Sequence, residues 1–382
     1  MDEETRLIRT GSEPTALSRT VNPPIQRGST VLLPNAASLY DDDLITYGIT
    51  GLASPAALQR ALAELEGSPD VTLYPSGLAA ITGAMLAVLK AGDEILVVDS
   101  AYKPTRRFCD RVLTRFGVKT TYYDPALTPE ELMVLAGAKT RLILLEAPGS
   151  LTFEMQDIPA IAKVANARGI ITLIDNTWAA GFYFKPLAHG VTISVQALTK
   201  YVGGHSDCFM GSATTMDVDI GNALGNAMWD IGWSVSPDDA YTMLRGLRTL
   251  ATRLPRHQEN GLEIARWLQD RPEVSRILHP ALPGDPGHAL WKRDFTGACG
   301  LFGVVLNDCS QRAVHAFLDN LELFGLGFSW GGYESLAIPC DPQLKNRSVP
   351  VKLEGPLLRL HIGLEGVDDL KADLDQAFKK LV

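Results

Sequence analysis

One stretch of the sequence organises the rest of the chain: Ser194-Val195-Gln196-Ala197-Leu198-Thr199-Lys200-Tyr201-Val202-Gly203-Gly204-His205-Ser206-Asp207. It opens with the alternation of a short strand. It ends in a Gly-Gly pair, which predicts a turn because neighbouring glycines give backbone freedom and no side-chain packing. The single lysine lies where the strand passes into a loop. Taken alone, a lysine there is more often a solvated surface charge than a reactive amine.

The residues upstream favour the reactive amine. The run Ile171-Thr172-Leu173-Ile174 is typical of a buried strand, and it ends in Asp175. A lysine and an aspartate have a specific use together in a cofactor site, where the lysine forms a Schiff base and the aspartate pairs with a pyridinium nitrogen. From its position alone, Asp175 is also a reasonable helix cap after a strand.

Length and composition indicate a globular enzyme. The 382 residues suffice for two domains, or for one large core with a smaller appendage, and 46% hydrophobic residues with 21% charged residues are ordinary proportions. A net charge of −9 argues against nucleic acid as a main partner. No apolar run approaches the ~20 residues of a membrane span, and the acidic N-terminus is unlike a secretory signal. The five cysteines are scattered, which favours reduced thiols in a cytoplasm and predicts no metal site.

Three regions are predicted along the chain. Residues 1–52 lack sustained periodicity and contain Pro23-Pro24, so we expect an extended arm that lies against another subunit, with a disordered tail over the first dozen residues. Residues 53–250 are expected to form an α/β cofactor-binding domain. Residues 251–382 are expected to form a smaller α+β domain.

Continuous apolar runs predict the strands of the larger domain. The runs at 95–98, 142–145 and 171–174 are typical of strands buried on both faces, which predicts a mostly parallel sheet. Each run is followed by an acid: Asp99, Glu146 and Asp175. Ligands of open α/β sheets bind beyond the carboxyl ends of the strands, so these acids are candidates for a binding crevice. No Gly-x-Gly-x-x-Gly follows any of the runs, which disfavours a nicotinamide enzyme.

Helix signals surround these strands. Ser54 as N-cap and Pro55 at the first helical position predict the start of one helix, and further helices are predicted over 218–231, 238–269 and 367–380. The segment Ser76-Gly77-Leu78 joins a short strand to another apolar helix. Small residues at such a turn expose helix N-terminal amides that suit a phosphate. A tight packing turn explains these residues equally well.

Taken in order, the motifs resemble the pyridoxal 5′-phosphate-dependent transsulfuration enzymes, the Cys/Met metabolism family. The segments that carry the resemblance span nearly the whole chain: Tyr47-Gly48, Ser76-Gly77-Leu78, Ala101-Tyr102-Lys103-Pro104-Thr105-Arg106, Asp175-Asn176-Thr177-Trp178, Thr199-Lys200-Tyr201, Gly204-His205-Ser206-Asp207, Ser329-Trp330-Gly331-Gly332-Tyr333-Glu334-Ser335 and Arg359-Leu360-His361-Ile362-Gly363-Leu364-Glu365. The resemblance implies pyridoxal 5′-phosphate as cofactor, a fold-type I (aspartate aminotransferase-like) α/β architecture and a homotetramer built from active dimers.

The resemblance also implies roles at the cofactor. Lys200 would form the Schiff base and then remove the substrate Cα proton, and Asp175 would keep the pyridinium nitrogen protonated. Tyr102 would stack on the cofactor ring, although without the family match an aromatic there is as often core filler. The phosphate would be bound by residues from two subunits: Ser76, Gly77, Leu78 and Thr199, with Tyr47 reaching across from the neighbour.

For the substrate, the resemblance implies that Arg359 grips the α-carboxylate through a bidentate fork. Without the motif around it, Arg359 would be taken for a surface arginine. Ser329 would orient Lys200 or that carboxylate, Trp330 would wall the pocket, and Tyr241 would contribute to it.

Trp330 and the Ala-Tyr-x-Pro-Thr-Arg run favour the β-lyase branch of the family. This implies a carbon–sulfur lyase of transsulfuration and methionine biosynthesis that cleaves L-cystathionine by β-elimination to homocysteine, pyruvate and ammonia. One alternative is a γ-replacing or γ-eliminating member, such as a cystathionine γ-synthase or homoserine sulfhydrylase. Another is that cysteine or a related thioether is the substrate.

Two departures from the family pattern motivate a third alternative, a non-catalytic relative with weakened cofactor binding. Ile49 stands where relatives usually have an arginine that binds the neighbour's phosphate, and Ala197 stands where many have a serine. Both changes remove groups that would hold the phosphate.

Overall fold

Two β-sheets surrounded by helices make up the part of the chain that the computed structural model describes, residues 1–11, 19–41, 43–345 and 347–381. The helices are α1 (Glu3–Arg9), α2 (Ala53–Glu66), α3 (Gly77–Val88), α4 (Lys103–Arg111), α5 (Pro129–Leu135), α6 (Ile158–Asn166), α7 (Val218–Asp230), α8 (Pro237–Leu247), α9 (Leu250–Gln269), α10 (His288–Asp294), α11 (Gln311–Asp319), α12 (Asp341–Leu344) and α13 (Val367–Phe378). The strands are β1 (Asp70–Tyr74), β2 (Glu94–Val98), β3 (Lys119–Tyr123), β4 (Thr140–Glu146), β5 (Ile171–Asp175), β6 (Ile193–Ala197), β7 (Gly211–Thr215), β8 (Val274–Leu278), β9 (Leu301–Leu306), β10 (Gly325–Leu326), β11 (Leu336–Pro339) and β12 (Leu357–His361).

The larger sheet has the strand order β1-β7-β6-β5-β4-β2-β3. The five consecutive strands β3, β2, β4, β5 and β6 are parallel to one another, and β7 is antiparallel to both β1 and β6. The apolar runs bury both faces of the central strands; in β4 every residue except Arg141 is buried. The predicted mostly parallel sheet is therefore confirmed. Because β4, β5 and β6 are parallel, their carboxyl ends at Glu146, Asp175 and Ala197 meet at one edge.

The smaller sheet has the order β10-β11-β12-β9-β8, with β12 antiparallel to β9 and β11. Its apolar face forms a second core cluster with residues of α9, α11 and α13, including Phe302, Leu358 and Leu374. The larger sheet ends its last strand at Thr215, and the smaller sheet begins at Val274. The division of the chain after residues 52 and 250 stays a prediction.

The predicted helix over 238–269 is wrong as a single element. The structure has two helices there, α8 and α9, which are interrupted at Arg248 and Thr249. Thr249 Oγ1 donates a hydrogen bond of 3.1 Å to the Gly246 carbonyl. A hydroxyl that bonds to nearby main chain in this way competes with helix continuation. The helices predicted over 218–231 and 367–380 are present as α7 and α13.

The start of α2 also differs from the prediction, since its N-cap is Leu52 and Ser54 lies inside the helix. Ser54 Oγ instead donates a hydrogen bond of 3.0 Å to the carbonyl of Pro24 in the arm. The predicted disordered tail is wrong for residues 3–9, which form α1 with Asp2 as its N-cap and Leu7 buried. Residues 12–18 lie outside the described residues.

Candidate active site

A cavity of about 280 Å³ lies at the carboxyl edge of the larger sheet, where β12 of the smaller sheet faces it. Both sheets contribute to its wall, so residues that are far apart in sequence meet there. Nine of the predicted site residues line the cavity: Ser76, Gly77, Leu78, Tyr102, Asp175, Thr199, Lys200, Trp330 and Arg359. The edge of the sheet is thus the place where the sequence motifs come together, as the parallel topology requires.

Lys200 follows β6 in the turn that the glycines predict. The main chain turns back through a hydrogen bond from Gly204 N to Lys200 O (2.7 Å), and Gly204 has a φ of 71°, which favours glycine. The ammonium Nζ donates a hydrogen bond of 2.8 Å to Ser329 Oγ and lies 5.2 Å from the centroid of the Trp330 ring. Burial lowers the pKa of Lys200 to about 8, and the positive charge of Arg359 acts in the same direction.

Asp175 ends β5 with its carboxylate on the cavity. Its Oδ1 accepts hydrogen bonds from Thr177 N (3.0 Å) and Thr177 Oγ1 (2.5 Å). Burial raises the pKa of Asp175, while the Thr177 hydrogen bonds and the charge of Lys200 act against the rise. Thr177 Oγ1 also accepts from Ala197 N at 2.9 Å, so one hydroxyl ties the ends of β5 and β6 together.

The N-terminus of α3 opens onto the same cavity. Ser76 is its N-cap, and its Oγ accepts a hydrogen bond of 3.1 Å from Ala79 N. The amides of Gly77 and Leu78 are in the first turn, where a helix offers no partner of its own, so they are available to a bound anion. Gly77 is required here because a Cβ would collide with Ala197. Ala197, the second departure from the family pattern, is therefore a packing partner of this helix end.

Tyr102 and Glu146 are joined at the edge of the sheet. Tyr102 N donates a hydrogen bond of 2.8 Å to Glu146 Oε2, and Ser150 Oγ donates one of 2.6 Å to Glu146 Oε1. Glu146 and Asp175 are register partners on β4 and β5. Burial raises the pKa of Glu146, and the negative charge of Asp175 raises it further. Sequence reasoning placed Glu146 in the crevice but gave it no role.

Arg359 lies in the middle of β12 and is 9% exposed. Its Nη2 donates hydrogen bonds to the carbonyls of Phe328 (2.8 Å) and Ser329 (3.1 Å). Its register partner on β9 is Gly303, which presents no side chain to it. Burial lowers the pKa of Arg359, and the guanidinium still borders the cavity as a cation.

Three further predicted residues, Thr199, Tyr47 and Tyr241, take no part in the contacts described so far. Thr199 Oγ1 donates to Met210 O (3.2 Å) and accepts from Met210 N (3.1 Å), so its hydroxyl already binds main chain. Tyr47 pairs with Thr30 in an isolated bridge and is 49% exposed. Tyr241 lies on α8. Neither tyrosine is among the residues that line this cavity.

Asp99 does not have the predicted place in the crevice. It is fully buried, and its carboxylate accepts from Arg106 Nη1 (2.6 Å) and Arg347 Nε (2.9 Å) and from the amides of Ser348 and Val349. Two arginines with buried side chains balance its charge. Arg347 itself lines the cavity, which the sequence gave no sign of, because 248 residues separate it from Asp99.

Across the described ranges, no three or more His, Cys, Asp or Glu side chains are grouped so that they could hold a metal ion. None of the described helices is long and apolar enough to span a membrane.

The arrangement of a lysine with a lowered pKa, a half-buried aspartate and a helix N-terminus at the edge of this sheet defines an enzyme of the fold-type I pyridoxal-phosphate class. Residues 4–379 match the model of the family described as Cys/Met metabolism PLP-dependent enzymes, and the chain belongs to that family.

Curated proteins and solved structures support the same assignment. Cystathionine beta-lyase from Bordetella avium is 44% identical over 94% of this chain and 92% of its own length. Cystathionine beta-lyase MetC from Escherichia coli is 40% identical over 99% and 98%. The crystal structure of cystathionine gamma-lyase from Lactobacillus plantarum complexed with L-serine has a TM-score of 0.91, at 31% identity, and covers 100% of this chain and 99% of that one. The implied fold-type I architecture is confirmed.

Proposed function

We propose that this chain is a cystathionine β-lyase. It converts L-cystathionine and one water molecule to homocysteine, pyruvate and ammonia. The bond between sulfur and the Cβ of the three-carbon half breaks, and the water hydrolyses the three-carbon product to pyruvate and ammonia. The observation that carries the proposal is the pairing of Lys200 with Arg359 in one cavity, in a chain whose full-length relatives are named cystathionine β-lyases. In this proposal the Arg359 guanidinium binds the α-carboxylate of the substrate, and the Lys200 amine lies next to the substrate's Cα proton.

The residues present fit pyridoxal phosphate. The main-chain amides of the first turn of α3 can bind the phosphate, and this turn lies close to Ala197 because Gly77 has no side chain. Both Asp175 and Lys200 line the cavity. The carboxylate of Asp175 would suit a protonated ring nitrogen, and Lys200 would be the amine that holds the cofactor's aldehyde carbon. When bound, the cofactor supplies an electron sink that makes the substrate Cα proton acidic.

Lys200 then acts on protons at two atoms of the substrate. With a pKa lowered to about 8, about a tenth of its amine is neutral at pH 7, and this neutral form can accept the Cα proton. The same group can return a proton to the departing sulfur. Ser329 Oγ, at 2.8 Å, holds the amine in place for both transfers.

Arg359 and Trp330 orient the substrate. Only one nitrogen of the Arg359 guanidinium is engaged with the main chain at 328–329, which leaves donors for the α-carboxylate. The Trp330 ring forms the part of the cavity wall next to Lys200. Tyr102, the N-cap of α4, would stack on the cofactor ring, and its main-chain N–H donates to Glu146 Oε2.

A second subunit completes the site in this proposal. The arm exposes large apolar side chains, including Leu32 at 92% and Tyr40 at 90%, which indicates a surface meant to be covered. Tyr47 lies on this arm and would reach the phosphate of the neighbouring subunit. Thr199 and Tyr241 complete the proposed set, and we propose a cytoplasmic homotetramer built from active dimers.

The test offers the purified protein L-cystathionine and, separately, an O-acylhomoserine with cysteine. We expect pyruvate and homocysteine from the first and no thioether from the second. The Lys200→Ala variant should stay folded and lose the activity, because its role is covalent. Thioether synthesis would favour a γ-replacing enzyme. Inactivity of the cofactor-loaded wild type on both, and on cysteine offered alone, would favour the non-catalytic alternative.

A further inference from the structure

The loop Ser329–Gly331 touches Lys200 at three points. Ser329 Oγ accepts the hydrogen bond from Nζ, and the Trp330 ring lies beside the same atom. Gly331 packs against the lysine main chain so closely that a Cβ there would lie 2.9 Å from Lys200 Cα. Gly331 also has a φ of 83°, a conformation that favours glycine. The position of this loop therefore sets the surroundings of the reactive amine.

Two side chains of β12 hold the loop. Arg359 and His361 are two residues apart on the strand, so their side chains project to the same face of the sheet. Arg359 binds the carbonyls at 328 and 329, and His361 Nε2 accepts a hydrogen bond of 3.0 Å from Gly331 N. The other ring nitrogen, Nδ1, lies 3.0 Å from the carbonyl of Glu334. A main-chain N–H can only donate and a carbonyl can only accept, so these partners fix the neutral Nδ1–H tautomer.

The surroundings of His361 support that assignment. The residue is fully buried, and burial lowers its pKa well below the usual range, with His257 and Arg359 acting in the same direction. Its ring lies 5.8 Å from that of Tyr201, the residue after Lys200, and the Tyr201 ring packs 5.6 Å from Trp330. His361 thus contacts two groups next to Lys200: the loop Ser329–Gly331, through Gly331 N, and the ring of Tyr201.

We propose that His361 is a positioning residue that holds Ser329 and Trp330 against Lys200. The inference rests on the proposed function only in taking Lys200 as the reactive amine. An imidazole suits the task because a single rigid ring accepts from one main-chain group and donates to another across its width. Leucine of similar size would fill the space and leave the buried Gly331 N–H without a partner.

The first readout needs no substrate. The visible absorption of the bound cofactor changes as the nitrogen that joins it to Lys200 loses its proton, and its titration midpoint depends on the groups around that nitrogen. We expect His361→Leu to bind the cofactor and to shift this midpoint by about half a unit or more, a size of shift that a changed hydrogen bond produces. His361→Gln should restore the wild-type midpoint, because its amide can accept from Gly331 and donate to Glu334.

The second readout is turnover of cystathionine. Displacing groups that position a reaction costs roughly 10- to 100-fold in rate, so kcat should fall by that factor in His361→Leu while KM changes less. His279 provides the matched control. It is equally buried, and it accepts from Ala281 N at 3.2 Å, in a loop that has no part in the cavity lining. The His279 ring lies 6.2 Å from that of the cavity-lining Trp178 but has no contact with the 329–331 loop among the ring contacts and hydrogen bonds of the described residues. His279→Leu should therefore lower the melting temperature and change the midpoint and kcat much less than His361→Leu does.

Wild-type midpoints in both His361→Leu and His361→Gln would overturn the proposal, as would equal losses of kcat in His361→Leu and His279→Leu. If His361→Leu does not fold, His361→Asn takes its place. Its shorter amide reaches only the Glu334 side and is expected to shift the midpoint where glutamine does not. If the wild type does not turn over cystathionine, the proposed function is refuted. The absorbance titration still tests the role of His361 in that case.

Discussion

Ser329 Oγ lies 2.8 Å from Lys200 Nζ although 129 residues separate the two in sequence. The hydroxyl comes from a loop next to the smaller sheet, and the amine comes from the turn after β6 of the larger one. The surroundings of Lys200, the amine that we propose to be reactive, therefore come from both sheets. A change in how β12 and the loop Ser329–Gly331 pack against the larger sheet will therefore alter the surroundings of Lys200.

The pH dependence of Lys200 can be predicted from its lowered pKa. In the cofactor-free protein the amine has a pKa of about 8, against 10.5 for an ordinary lysine. Only the neutral amine attacks an aldehyde, so the rate of cofactor attachment should rise as pH rises and level off above about 8. Stopped-flow absorbance of the cofactor-free protein mixed with pyridoxal phosphate measures this rate.

Arg359→Gln is the control for that measurement, because it removes the cation that helps to lower the lysine pKa. Its midpoint should move to higher pH, since a neutral neighbour no longer disfavours the ammonium form. A wild-type midpoint near that of an ordinary lysine would show that the amine is solvated and not held in the cavity.

Asp175→Asn should keep the cofactor and lose most of the rate. The amide is nearly isosteric and can retain the Thr177 contacts, but it carries no charge to stabilise a protonated ring nitrogen. We expect kcat to fall on the order of 100-fold, the usual cost of losing one preorganised electrostatic group. Steady-state kinetics with cofactor content measured in the same samples give the answer, and a full rate in the variant would remove Asp175 from the mechanism.

Arg359→Lys should raise KM for amino-acid substrates by about tenfold or more, since a hydrogen bond to a charged group contributes ~1.5–3 kcal/mol. One ammonium cannot reproduce a two-point fork on a carboxylate. Comparing KM with the melting temperature separates recognition from stability. An unchanged KM would show that a group other than Arg359 binds the α-carboxylate of the substrate.

Ile49→Arg tests the departure in the arm. Ile49 lies in the short turn of 3-10 helix Gly48–Thr50, directly after Tyr47 and Gly48. If the arm reaches the neighbour's phosphate, the new charge-assisted hydrogen bond of ~1.5–3 kcal/mol should tighten pyridoxal phosphate by tenfold or more. Equilibrium dialysis of the cofactor-free proteins compares the two, and equal affinity would mean that the arm runs elsewhere or that another group fills the position.

The strands of the larger sheet were largely predictable from the sequence. The apolar runs at 95–98, 142–145 and 171–174 belong to β2, β4 and β5, because strands buried on both faces leave a continuous apolar signal. β3 and β7 were missed for different reasons. β3 is an edge strand, Lys-Thr-Thr-Tyr-Tyr, that is exposed in part. β7 consists of small residues, and its Gly211 admits the close approach of the α3 N-terminus.

The candidate site was predictable to the extent that it is local. Lys200 and Asp175 follow apolar strands whose ends must meet, so their proximity follows from the topology. The contact of His361 with Gly331, and of Arg347 with Asp99, depends on how the smaller sheet docks. No local pattern encodes such long-range pairs, and only the assembled structure brings them together.

The most direct test of the proposed function is the identity of the 2-oxo acid released from L-cystathionine. The two carbon–sulfur bonds of this substrate lead to acids of different length, so chromatography of the product with mass detection shows which bond is cut. We predict pyruvate in a 1:1 ratio with homocysteine, as the stoichiometry of β-elimination requires. Release of 2-oxobutyrate with cysteine would contradict the account and assign γ-chemistry to the Lys200 site.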